Sequence, residues 1–82
     1  MRLLLVDDDP DDAAMTIREL RAAGRFDITH TRAPGDALDL VERQAFDACI
    51  LDYRLPDISG VALCKRLRLA GFPSVIVMRS AA

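Results

Sequence analysis

The sequence predicts an α/β fold, a doubly wound parallel sheet with helices on both faces. Two observations carry that reading. The apolar runs Leu3-Leu4-Leu5-Val6, Cys49-Ile50-Leu51 and Val75-Ile76-Val77-Met78 are continuous rather than alternating, as strands buried on both faces must be. Between them lie segments of helical period, so the order is β-α-β-α-β-α-β, which closes into a parallel sheet through right-handed crossovers. A length of 82 residues allows one domain. A chain so short buries only roughly 60 to 65% of the surface its unfolded form exposes, so marginal stability is expected.

The first strand spans Leu3 to Val6 and stops at a run of acids. A helix follows from Pro10 to Ala23, with Asp9 as its cap, Pro10 at its first position, Gly24 at its stop and Ala13, Ile17 and Leu20 on its inner face. Phe26, Ile28 and His30 alternate with Asp27 and Thr29, which predicts a less buried second strand at one sheet edge. Pro34 and Gly35 open a second helix that runs to about Arg43, with Leu38, Val41 and Ala45 facing inward. The third strand covers Ala48 to Leu51. A third helix extends from about Ser59 to Ala70 with Val61, Cys64 and Leu67 as its apolar stripe, and Gly71 and Pro73 end it. Val75 to Met78 is the fourth strand, with an unpaired edge.

Composition excludes several functions. A net charge of −2 gives no electrostatic reason to bind nucleic acid, and no apolar run approaches the roughly 18 residues a membrane helix needs. Met1-Arg2 and four apolar residues are too short for a signal peptide, so a cytoplasmic location is expected. Cys49 and Cys64 form no metal-binding pair and are read as reduced, buried thiols. His30 is placed away from the acids as a structural residue, and Arg18, Arg21, Lys65, Arg66 and Arg68 as solvated helix faces.

The acids carry the chemistry. Asp7, Asp8, Asp9, Asp11 and Asp12 put five of the thirteen acidic residues into six positions, and Asp52 closes the third strand. Two parallel strands ending side by side bring Asp7, Asp8 and Asp52 to one sheet edge. Like charges persist there only with a cation among them, which points to a hard-metal site suited to phosphate chemistry. In such sheets ligands bind beyond the carboxyl ends of the strands.

The acidic pair after the first strand, the stretch Asp52-Tyr53-Arg54-Leu55-Pro56-Asp57-Ile58-Ser59-Gly60, and Arg79-Ser80-Ala81 after the fourth strand together resemble the receiver domain of a two-component response regulator. The resemblance covers residues 2 to 82. It implies the flavodoxin-like (CheY-like) sheet in strand order 2-1-3-4, with Asp7, Asp8 and Asp52 at the point where strand order reverses. It implies Asp52 as phosphoacceptor from a sensor histidine kinase or phosphotransfer protein, and Mg²⁺ bound by Asp7, Asp8, Asp52 and the backbone carbonyl of Arg54. Ser80 would hydrogen-bond the phosphoryl group, although Arg79 stands where an apolar residue is commoner, and a one-residue slip would aim Arg79 at the site instead. Leu55, Pro56 and Gly60 are read as loop formers, and Tyr53 and Arg54 as solvent-facing neighbours of the site.

These 82 residues correspond to about two thirds of a receiver, without a fourth helix, a fifth strand bearing a Lys, or a fifth helix. The reading is of a signalling domain, not an enzyme, with a homodimer expected through the fourth-strand edge. Two rivals stand beside it. One is a phosphorylation-independent scaffold or dimerisation fragment. The other is a haloacid dehalogenase-type phosphatase fragment, since Asp7-Asp8-Asp9 contains Asp-x-Asp.

Overall fold

Every predicted element forms. In the computed structural model, which describes residues 1–80, β1 (Arg2–Val6), β2 (Asp27–Thr31), β3 (Ala48–Asp52) and β4 (Val75–Arg79) alternate with α1 (Pro10–Ala23), α2 (Pro34–Arg43) and α3 (Gly60–Leu69). The four strands are parallel in the order β2-β1-β3-β4. β1 runs through the middle, and Leu3, Leu4, Leu5 and Val6 are each no more than 4% exposed, which is why that run carries no polar residue. β2 lies at one edge and is only half-buried through Ile28, Thr29 and His30.

Handedness distributes the helices. The chain passes from β1 to β2 in one direction and from β2 through β3 to β4 in the other, so right-handed crossovers place α1 on one face and α2 with α3 on the opposite one. The main core accordingly joins Leu4, Val6, Cys49 and Leu51 of the sheet to Ala37 of α2 and Leu63 and Leu67 of α3, closed by Phe46 and Phe72. Strand alternation then turns Leu3, Leu5, Ile50 and Asp52 toward α1.

The helix ends follow local chemistry. Asp9 Oδ1 accepts from the Asp11 and Asp12 amides at 2.9 and 3.3 Å, and Ser59 Oγ accepts from the Ala62 amide at 3.1 Å. Gly71 reverses the chain after α3 with φ of 92°, a backbone region that favours glycine.

Several assignments of inner faces change. Capping at Ser59 makes Gly60 the first residue of α3, so the buried row is Gly60, Leu63 and Leu67, while Cys64 is half-buried and Val61 is turned outward. α2 stops at Arg43, which leaves Ala45 exposed; Phe46 fills the core instead, with Arg2 over its ring. On α1 the buried residues are Ala13 and Thr16, whose hydroxyl donates to the Asp12 carbonyl at 3.0 Å, and Ile17 and Leu20 are half-buried. Arg68 is tethered rather than merely solvated. Its guanidinium donates to the carbonyls of Phe72 and Ser74 at 2.9 and 2.7 Å, and Ser74 Oγ donates to the Phe46 carbonyl at 2.8 Å.

Candidate functional site

Register builds the site. β1 and β3 pair Val6 with Leu51, so the next residue of each strand, Asp7 and Asp52, emerge side by side at the carboxyl edge. The Asp7 amide still donates to the Thr31 carbonyl of β2 at 3.1 Å, which holds Asp7 in line with the sheet before the chain turns through Asp8. One carboxylate oxygen from each of Asp7, Asp8 and Asp52 lies within 4.8 Å of the others. The predicted cluster therefore forms.

Its electrostatics favour a cation. Asp7 is 5% exposed, and burial pushes its carboxyl above the usual value near 3.8; a hydrogen bond from the Asp9 amide at 2.9 Å opposes the rise, and the charges of Asp52, Asp12 and Asp8 add to it. Asp12, in the first turn of α1, is also pushed upward, by partial desolvation and then by the neighbouring carboxylates Asp9 and Asp52, while Arg79 opposes. A set of carboxylate oxygens of this spacing and charge fits a hard divalent ion such as Mg²⁺, which takes one or two protein carboxylates and keeps water in its remaining positions.

The loop after β3 frames the acids. The Arg54 amide donates to Asp52 Oδ1 at 3.2 Å, and Arg54 bridges Ser59 across the loop, which leaves the Arg54 side chain exposed beside the site. Tyr53 is exposed too, with its amide bonded to the Arg79 carbonyl and its carbonyl to the Gly60 amide. Gly60 does more than shape a loop. A Cβ there would fall 2.5 Å from the Asp52 carbonyl oxygen, 3.2 Å from Tyr53 Cα and 3.1 Å from Met78 Sδ, so glycine is required by close approach of the backbone, not by an unusual dihedral.

At β4 the register is Asp52 with Arg79, so the strand runs one residue further than predicted and Ser80 is the first residue beyond it, exposed. Ala81 lies outside the described residues. Sequence reasoning misplaced His30. Its Nε2 donates to the Asp7 carbonyl at 2.9 Å, because parallel pairing of Leu5 with His30 carries the end of β2 to the same edge as the acids. Arg32, two residues later, donates from Nε to the Asp8 carbonyl at 3.2 Å. Counting from the ends of β1 and β2 would have found both. Asp9, by contrast, donates its amide to Asp7 Oδ1 but commits its own carboxylate to the cap of α1, so the second acid of the Asp-x-Asp in the phosphatase reading serves the helix and not the cluster of Asp7, Asp8 and Asp52.

Residues 3–82 match the family model described as the response regulator receiver domain. The chain belongs to that family. Among curated relatives, this receiver chain is 31% identical over 83 residues to the response regulator RppA of Synechocystis sp., covering 99% of this chain and 35% of RppA. Among solved structures it resembles the MaeR response regulator bound to beryllium trifluoride, with a TM-score of 0.90, 28% identity, and coverage of 100% of this chain and 68% of that one. It also resembles TrrA from Thermotoga maritima, solved in complex with Mg²⁺-BeF (TM-score 0.88, 28% identity, 99% of this chain and 70% of that one) and with the histidine kinase ThkA. The chain thus spans about a third or less of the length of the curated relatives it matches and about two thirds of the solved chains.

Proposed function

We propose that this receiver takes a phosphoryl group onto Asp52 from a phosphohistidine of a sensor histidine kinase or phosphotransfer protein, with Mg²⁺ held by Asp7, Asp8, Asp52 and the Arg54 carbonyl. The observation that carries the proposal is the meeting of the Asp7, Asp8 and Asp52 carboxylates at the carboxyl edge of two adjacent strands, their oxygens within 4.8 Å. Neighbouring receivers bound to beryllium trifluoride, to Mg²⁺-BeF and to a kinase support it.

Asp52 is the nucleophile because it closes β3 within the sheet register, half-exposed, with Oδ1 accepting from the Arg54 amide. Asp7 and Asp8, anchored through their carbonyls by His30 and Arg32, set the metal ligands. When bound, Mg²⁺ neutralises charge on the phosphoryl oxygens. Ser80, at the end of β4, supplies a hydroxyl to the phosphoryl group. The chain acts as a signalling component, not as an enzyme with a turned-over substrate, in the cytoplasm, and pairs with a second copy through β4; no helix among the described residues is long and apolar enough to cross a membrane. A pure scaffold would share that edge but would not be modified.

Acetyl phosphate or phosphoramidate with Mg²⁺ should add one phosphoryl group, seen by mass spectrometry. The addition should vanish in Asp52→Asn and on chelation. Modification that persists in Asp52→Asn would refute the assignment, and no modification at all would favour the scaffold.

A further inference from the structure

Arg79 is the cation that the sheet sets directly beside Asp52. The two are register partners on adjacent parallel strands, so their side chains leave the sheet on the same face about 4.8 Å apart at the backbone. That face is the one covered by α1. Met78 meets Gly60 at the start of α3, so alternation turns Arg79 the other way, and its guanidinium lies 3.4 Å from Glu19 of α1. Asp12 feels the charges of both Asp52 and Arg79, which sets all three groups on one patch.

The Glu19 partner is a weak restraint. Glu19 and Arg79 side chains are 60% and 37% exposed, and an ion pair so open to water contributes little and is screened by salt. A phosphoryl group on Asp52 would bring a dianion with three strong acceptor oxygens to the strand next to Arg79, and guanidinium matches such oxygens with paired, charge-assisted hydrogen bonds. Taking the phosphoacceptor reading of Asp52 as its basis, we infer that Arg79 is a further catalytic residue of this site, which leaves Glu19 to bind the phosphoryl oxygens as they are transferred to Asp52.

With phosphoramidate the balance is simple. An Asp52 oxygen forms the new O–P bond as the P–N bond of N-protonated phosphoramidate breaks; the nitrogen, already carrying three protons, departs with that electron pair as ammonia. Arg79 gives up no proton and stabilises the oxygens throughout.

The test measures phosphoramidate modification rates and beryllofluoride affinity, with Mg²⁺, for the wild type, Arg79→Ala, Arg79→Lys and Glu19→Gln, each confirmed folded by circular dichroism. Loss of one charged donor at a partly open site should slow Arg79→Ala by about tenfold or more and weaken beryllofluoride binding by a similar factor. Arg79→Lys, which keeps the charge, should recover most of that loss, and Glu19→Gln should react at least as fast as the wild type. A folded Arg79→Ala that reacts at the wild-type rate would overturn the inference alone. So would a folded Glu19→Gln clearly slower than the wild type, because the ion pair would then matter only for structure; that arm is read against the wild type and decides the matter even if Arg79→Ala does not fold. A wild type left unmodified at Asp52 would overturn the phosphoacceptor reading, and this inference with it.

Discussion

Asp7 and Gly60 show how single residues tie the site to the stability of the domain. Asp7 carries a raised value because it is buried among other carboxylates, so the fold binds its proton more tightly than the unfolded chain, where the value is near 3.8. This group therefore favours the fold most below its unfolded value, and that contribution is lost as pH rises through the raised folded value. A divalent cation replaces the proton and removes the penalty, so the rise in Tm produced by millimolar Mg²⁺ should grow from about pH 4 to about pH 7. It should shrink in Asp8→Asn and Asp52→Asn. A melt unmoved by Mg²⁺ at neutral pH would exclude the metal site. Gly60 answers to sterics instead: the Cβ of Gly60→Ala meets the Asp52 carbonyl at 2.5 Å, backbone against backbone. That overpacking should cost about 1–3 kcal/mol, read as a lower urea midpoint with unchanged slope, and should also disturb Asp52. The acids were legible in the sequence because a carboxylate that closes a buried apolar run is costly to keep there unless a cation or a donor meets it. The reason for Gly60 was not, since no local pattern reports how near another strand's backbone will come.

Elements were legible in proportion to how local their signals are. α1 begins and ends where Asp9, Pro10 and Gly24 say it should, and the strand order came out as 2-1-3-4. Inner faces were harder. On α3, Val61-Cys64-Leu67 and Gly60-Leu63-Leu67 both satisfy helical spacing, and the cap at Ser59 together with the packing of Gly60 against Asp52 and Met78 selects the second. His30 and Arg32 escaped because their role lies between strands: what matters is that β2 ends level with β1, a fact of register rather than of composition. The α3–β4 connection is the same kind of case. Arg68 looks like one more surface charge, yet it holds two carbonyls of the turn between α3 and β4. Arg68→Ala should therefore destabilise the domain by about 1–3 kcal/mol, in the range for hydrogen bonds from a charged group, whereas Arg66→Ala, on the exposed side of α3, should be within about 0.5 kcal/mol of the wild type. Equal midpoints for the two variants in urea would show the tether to be idle.

For the whole molecule the decisive feature is asymmetry between the two sides of the sheet. α2 and α3 cover one face and bury Leu63, Leu67, Phe46 and Phe72 in a continuous core, while among the described residues α1 is the one helix on the other. β1 and β3 have strands on both sides, and β2 is an edge rich in polar residues. β4 is an edge of another kind: among the described residues it pairs only with β3, and Val75 and Val77 are 62% and 48% exposed. A short chain with marginal burial can ill tolerate that surface, because unpaired strand donors and acceptors flanked by valines are a template for another strand. Two copies meeting through β4 would pair those backbone groups and cover the valines of each at once, an arrangement closed by a two-fold axis. The 82-residue chain should therefore sediment as a dimer, or as larger species, at high micromolar concentration, and its Tm should rise with concentration. Val77→Lys sets a charge in the middle of the edge without touching the core, so it should shift the equilibrium to monomer and abolish the concentration dependence of Tm while leaving the monomer folded. A wild type that remains a compact monomer at high micromolar concentration, with two-state unfolding, would refute pairing through β4.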